Sequence, residues 1–192
     1  MPAFGIAYRL LDGAAAAERE QDLLALAGEV HDSADDPAAA RRARVWRRQP
    51  GFALAEARHG GFLVGYASGM PLRPSTSWWR ELTTPLPPAV TAEHQGRTFA
   101  LTELLVRASW RRQGIGRDLH DLLLDGRTEE RATLTVAPEA VPAQRAFRSW
   151  GWRKVARTHG DEPDAPVLDV LLLPLTPASG RDLADRTQLA GS

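Results

Sequence analysis

The fold of this chain is restricted above all by the order of its strand-like and helix-like segments. Apolar runs, several of them alternating, predict strands over residues 4–11, 52–58, 62–70, 98–106, 132–138, 152–157 and 167–173. Helical spacing and composition predict helices over residues 14–30, 38–48, about 117–125 and 142–150. Gly60 and Gly61 indicate a hairpin, whereas strands and helices alternate in the second half. This order predicts an α/β (α+β) domain whose mixed central sheet of about six or seven strands has helices on both faces.

The length and composition exclude several classes of protein. The 192 residues fit one domain, predicted over residues 1–175, and the polar residues 176–192 are expected to form a flexible tail. Lys and Arg together number 24, as do Asp and Glu, so no nucleic-acid partner is expected. The chain has no Cys, which excludes disulfides, thiolate catalysis and Cys-type zinc sites.

The N-terminus and the apolar runs predict the cellular location of the protein. No basic segment followed by a long apolar run opens the chain, and no run approaches the roughly 20 residues that a membrane span needs. A soluble, cytoplasmic protein without a membrane partner is therefore expected. No two of the five histidines have ligand spacing, so no metal is expected, and His120 is expected to be solvated.

A turn rich in glycine and arginine joins the predicted strand 98–106 to the next helix. Its sequence, Arg111-Arg112-Gln113-Gly114-Ile115-Gly116-Arg117, places bare backbone and three guanidiniums where a helix begins. Unpaired amides at a helix start bind phosphate if the backbone can come close, and glycine permits that approach. The P-loop Lys-Ser/Thr pair and the third glycine of a dinucleotide fingerprint are both missing. The alternatives are thus an anion site of another kind or a tight turn with solvated arginines.

The surrounding sequence resembles the GNAT acetyltransferase superfamily. The pattern Arg111-x-x-Gly114-x-Gly116, between an apolar strand and a helix, is similar to the family's pyrophosphate-binding signature. A second segment, residues 142–155, resembles the family's other acetyl-CoA segment, a helix that ends in aromatic–x–x–x–Gly–aromatic, here Phe147, Gly151 and Trp152. The order of strands and helices fits the family over roughly residues 4–174.

The resemblance implies a mode of binding for acetyl-CoA, the expected co-substrate. Its pantetheine arm is expected to pair with the backbone of Leu104, Leu105 and Val106, like an added strand between splayed strands. Its pyrophosphate is expected to bind the turn formed by Arg111, Arg112, Gln113, Gly114, Ile115, Gly116 and Arg117. The implied activity is direct acetyl transfer to a primary amine, which needs no enzyme nucleophile.

Glu103 is the candidate general base. It interrupts an apolar strand in alternation with Leu101 and Leu105, so it is expected on their face, where burial would raise its pKa. The family often has Glu at this place; the alternative is a structural Glu bonded to a neighbouring loop. Two positions depart from the family: Phe147 replaces the usual acid, Tyr, and Ala140 replaces a common Asn.

The acceptor pocket is less defined by the sequence. Trp78 and Trp79, in a long Pro-, Ser- and Thr-rich connection, either wall that pocket or anchor the connection to the core. Tyr66 either faces the cleft or lies in the core. The acceptor is a small-molecule or peptide amine, and aminoglycosides, polyamines, peptide N-termini and small metabolites all remain open.

Other functions and states of assembly also remain open. The acidic stretch 160–166 could attract a cationic acceptor or form a solvated turn. A homodimer is possible. The alternatives to acetyl transfer are a catalytically weak or inactive acyl-CoA-binding sensor or partner-binding module, and an enzyme that uses a longer acyl-CoA or an aminoacyl donor.

Overall fold

The computed structural model describes residues 5–31, 37–159 and 166–175. Its strands are β1 Ile6–Asp12, β2 Ala53–His59, β3 Phe62–Pro71, β4 Thr98–Val106, β5 Arg131–Val136, β6 Arg153–Thr158 and β7 Leu168–Pro174. Its helices are α1 Gly13–Ala17, α2 Glu20–His31, α3 Pro37–Arg47, α4 Pro88–Thr91, α5 Ile115–Leu124 and α6 Val141–Ser149, and a short 3-10 turn spans Ala108–Trp110. The predicted tail, the start of the first strand at Phe4 and the acidic residues 160–165 lie outside the described ranges.

All seven strands join one mixed sheet, which confirms the predicted architecture. The strand order is β1-β2-β3-β4-β5-β7-β6, so the last strand along the chain inserts between β5 and β6. β4 and β5 are parallel, and every other neighbouring pair is antiparallel. The sequence predicted the hairpin of β2 and β3, because its glycines supply the positive φ of the turn.

Helices cover both faces of the sheet, as predicted. On one face α5 and α6 bury Ile115, Leu119, Leu123 and Phe147 against the sheet. On the other face α1 and α2 cover one end of the sheet, and residues 72–97 cover the other end. No helix within the described ranges is long and apolar enough to cross a membrane.

The predicted helix over residues 14–30 is in fact two helices. Asp12 caps α1 by accepting from the Ala15 amide at 2.9 Å, and the chain turns after Ala17 before α2 begins at Glu20. The break allows Ala16 of α1 and Leu23 of α2 to be buried in the same core. Tertiary packing here outweighs the helix propensity of an Ala- and Glu-rich run.

Candidate functional site

A cleft opens where β4 and β5 separate. The two strands pair only from Thr98 and Arg131 to Ala100 and Thr133. Beyond this point β4 stays bonded to β3 and β5 stays bonded to β7. The backbone of residues 101–106 that faces β5 therefore has no strand partner, and an extended ligand has room to pair with it.

The glycine–arginine turn follows directly at the end of β4. Gly114 has φ 90° and Arg112 has φ 65°, so both lie in the left-handed region. The Arg117 and Asp118 amides bond to the Gly114 carbonyl. Among the described residues, none accepts a hydrogen bond from the amides of residues 112–116. These five consecutive donors at the start of α5 form a concavity of the kind that can bind an anion.

The side chains of the turn hold its shape. The Arg111 Nε donates to the Val106 carbonyl at 3.0 Å, which ties the turn to the end of β4. The Arg117 Nε bonds to Asp121 at 2.6 Å, one helical turn further on. Ile115 is buried and fixes the helix start in the core. Gln113 is exposed and donates to the Ser109 carbonyl at 3.3 Å, and the Arg112 side chain is also exposed, beside the free amides.

Helix α5 also begins close to the cleft. A Cβ built on Gly116 would lie 3.6 Å from the Leu104 Cδ2, so the first turn of the helix packs on the splayed part of β4. A Cβ on Gly114 would meet no atom within 4 Å. At Gly114 the need for glycine is therefore conformational, and at Gly116 an alanine-sized group fits.

Glu103 lies on the opposite face from Leu101, which corrects the predicted alternation. Ser68 on β3 pairs with Glu103, and the next residue, Gly69, pairs with Leu101, so Thr102 is an extra residue in β4. Leu101 packs in the core under α5. Leu105 packs in the core under α2, on the face of Glu103. The bulge, which the sequence pattern does not mark, is the physical reason for the change of face.

Glu103 and Tyr66 form a hydrogen-bonded pair on that face. The Tyr66 hydroxyl donates to the Glu103 Oε2 at 2.7 Å, and Tyr66 itself is only 3% exposed. Burial raises the pKa of Glu103 above its ordinary 4.5, while the bond from Tyr66 and the nearby charges of His31, Arg47 and Arg42 act to lower it. Burial and the adjacent carboxylate raise the pKa of Tyr66, which keeps its hydroxyl protonated.

A cavity of about 660 Å³ lies beside this pair, within the usual size range of small-ligand sites. Helices α2 and α3 form one wall, and strands β2, β3 and β4 form the other. Its polar and charged lining residues are His31, Arg42, Arg44, Arg47, Tyr66, Ser68 and Glu103, and the apolar ones include Leu23, Leu24, Trp46, Phe52 and Leu54. Glu103 and Tyr66 are candidates from the sequence, each with a structural alternative, whereas the arginines are not, since on a predicted helix they resemble ordinary solvated residues.

Trp78 and Trp79 lie outside this lining. Trp79 is 9% exposed, and its Nε1 donates to the Glu93 carboxylate at 2.9 Å. The Trp78 Nε1 donates to the Thr133 hydroxyl at 3.2 Å. Both rings belong to the segment 72–97, and they pack against the buried residues Ala156 of β6 and Val170 of β7. In the structure the two rings thus connect that segment to the sheet.

The second predicted cofactor segment forms an aromatic cluster. Phe147 is buried, with its ring centroid 5.5 Å from that of Trp150 and 5.8 Å from that of Trp152. His120 joins this cluster at 4% exposure, so the expectation that it is solvated is wrong. Its Nε2 accepts from the Trp152 indole at 3.0 Å, and burial lowers its pKa. The sequence does contain a signal for this burial, because His120 lies three residues before Leu123 and therefore shares its buried face of the helix.

The described residues contain no group of three or more His, Cys, Asp or Glu side chains that could hold a metal ion.

A family model matches most of the chain. The model is described as the acetyltransferase (GNAT) family, and it matches residues 18–152. These residues include both Glu103 and the glycine–arginine turn. No curated protein sequence matches the chain significantly.

Solved structures share the fold at low sequence identity. Arabidopsis thaliana NAA60 in complex with acetyl-CoA matches with a TM-score of 0.64 and 14% identity, covering 88% of this chain and 99% of its own. The ribosomal-protein-S18-alanine N-acetyltransferase from Escherichia coli matches with a TM-score of 0.61 and 14% identity, covering 92% of this chain and 98% of its own. Ard1 from Thermoplasma volcanium matches with a TM-score of 0.62 and 14% identity, covering 90% of this chain and 99% of its own. At these identities the likeness concerns the fold.

Proposed function

Because the chain belongs to the GNAT acetyltransferase family, we propose that it transfers an acetyl group from acetyl-CoA directly to a primary amine. The observation that carries the proposal is the row of free amides at residues 112–116, at the mouth of the cleft between β4 and β5. An anion site there, beside a strand edge open to an extended ligand, fits both the pyrophosphate and the pantetheine of acetyl-CoA.

The proposed cofactor contacts follow from this fit. The backbone of Leu104, Leu105 and Val106 lies in the unpaired part of β4 and would orient the pantetheine arm. The turn from Arg111 to Arg117 would hold the pyrophosphate with its amides and with charge-assisted bonds from its guanidiniums. Bound acetyl-CoA supplies the acetyl group as a thioester.

Glu103 is the proposed general base. An amine acceptor arrives as an ammonium ion and must lose a proton before it attacks the thioester carbonyl. Glu103 accepts that proton, directly or through one water, because its carboxylate faces the cavity. The raised pKa of Glu103 makes it a stronger base than an ordinary carboxylate. Tyr66 holds the carboxylate in place through its 2.7 Å bond.

The leaving sulfur has no donor at the position where this family commonly has one. Phe147 has no hydroxyl and is buried among tryptophans. We therefore assign protonation of the leaving thiolate to water. The same observation favours a second candidate function, a domain that binds acyl-CoA and transfers slowly or not at all.

Turnover distinguishes the two candidates. Release of the free thiol of CoA is measured with acetyl-CoA and a panel of amines, for the native protein and for Glu103→Gln. We expect amine-dependent release, and a loss of about a hundredfold or more in kcat for Glu103→Gln, because general base catalysis contributes about that much. Glu81→Gln, an exposed carboxylate on residues 72–97, is the matched control and should keep its rate. Binding of acetyl-CoA without amine-dependent release would favour the binding domain.

A further inference from the structure

Among the described residues that line the cavity beside Glu103, cationic side chains outnumber anionic ones. Helix α3 contributes three guanidiniums, those of Arg42, Arg44 and Arg47. Among the described residues of the lining, Glu103 is the one carboxylate, and His31 adds an imidazole.

Ion pairs within the described residues do not neutralise this excess of positive charge. Glu20 accepts from the Arg44 Nε at 2.5 Å and from an Arg47 terminal nitrogen at 3.1 Å, so one carboxylate serves two guanidiniums. The Arg47 side chain is only 7% exposed. Its charge is therefore less screened by solvent than that of a surface arginine.

The positive charges of this wall affect the pKa of the proposed base. Arg47, Arg42 and His31 each act to lower the pKa of Glu103, against the effect of its burial. The cavity thus has one carboxylate at the sheet wall, where an amine would react, and a cationic wall on α3. A polycation such as a polyamine would meet repulsion there, whereas a molecule with an amine at one end and an anion at the other matches both walls.

We propose that the acceptor is a small amine that carries its own carboxylate or phosphate, and that Arg42 and Arg47 bind this anionic group. The inference rests on the proposed function and assigns the substrate class of the same site. Guanidinium groups suit it because their planar forks bind carboxylates and phosphates in a bidentate manner. The cavity volume of about 660 Å³ suits a metabolite-sized molecule.

Matched pairs of amines test the charge requirement. 4-Aminobutanoate is compared with 4-aminobutanamide, and phosphoethanolamine with ethanolamine, since each pair differs in the anionic group; spermidine represents the polycations. Binding to the CoA-loaded protein is measured by calorimetry, which needs no turnover, and kcat/KM is measured by thiol release. We expect the anionic member of at least one pair to be preferred about tenfold or more, as one charge-assisted contact provides.

Two variants locate the effect. Arg42→Gln should bring the preference close to one, chiefly through KM, while acetyl-CoA binding stays unchanged. Arg41→Gln is the matched control, because Arg41 is the preceding residue of α3, is exposed and does not line the cavity. Equal or no binding of both members of every pair, a preference for spermidine, or a preference that survives Arg42→Gln would overturn the inference. Failure to bind acetyl-CoA would instead overturn the proposed function.

Discussion

A single extra residue determines the environment of Glu103. Without Thr102 as a bulge, strict alternation would direct Glu103 into the core beneath α5, together with Leu101. With the bulge, Glu103 shares a face with Tyr66 and borders the cavity. Bulges of this kind commonly redirect a side chain beside an active site.

The pH dependence of the rate tests the role of Tyr66 as a positioning residue. The proposed base, Glu103, can accept a proton only when it is ionised, so kcat/KM should fall as the pH drops through its pKa, which burial has raised above 4.5. Tyr66→Phe removes a hydrogen bond that stabilises the carboxylate. The pKa of Glu103 then rises further, and the acidic limb of the profile should move to higher pH.

The other tyrosine of the chain provides the control for this experiment. The Tyr8 hydroxyl donates to Asp118 at 2.8 Å, away from the cavity lining, so Tyr8→Phe should leave the limb in place. If the acidic limb of the kcat/KM profile stays fixed in Tyr66→Phe, or moves to lower pH, the Tyr66 hydroxyl does not control the pKa of Glu103.

At the scale of elements, local patterns predicted most of the secondary structure. The strands and α5 follow from apolar runs and from the glycine turn, because those signals lie within a few residues of one another. The bulge at Thr102 does not follow from them, since it depends on the pairing of β4 with β3. The cationic wall of α3 was missed for a related reason: Arg42 and Arg47 acquire their role only when α3 packs across the cavity from Glu103.

The segment 72–97 gives a prediction at this scale. Trp79→Phe removes the bond from the indole to Glu93, whose side chain is 1% exposed and is also bonded by Arg131 and Thr98. Loss of one bond to a buried carboxylate should lower the free energy of unfolding by about 1–3 kcal/mol. Denaturant unfolding measures the change, and acetyl-CoA affinity should be unaltered. Unchanged stability with a reduced kcat/KM for the acceptor would instead place Trp79 at the acceptor.

At the scale of the whole molecule, the two proposed substrates approach from different sides of the sheet. The glycine–arginine turn, the proposed pyrophosphate site, precedes α5, which packs on one face, and the cavity lies under α2 and α3 on the other face. Glu103 lies in the part of β4 that is unpaired with β5, and it also lines the cavity, so the gap and the cavity share this residue. This division explains why a change in α3 is expected to alter acceptor choice without altering cofactor affinity.

The most direct test is a calorimetric titration of the protein with acetyl-CoA, for the native chain and for two glycine variants. Gly114→Trp fills the concavity of free amides, and Gly126→Trp makes the same substitution just beyond the other end of α5, also at a positive φ with open space around it. Both variants should incur a similar backbone strain of about 1–2 kcal/mol. We expect binding to the native protein and to Gly126→Trp, and none to Gly114→Trp. Equal affinity in all three, or no binding to the native protein, would contradict the assignment of the turn to the cofactor pyrophosphate.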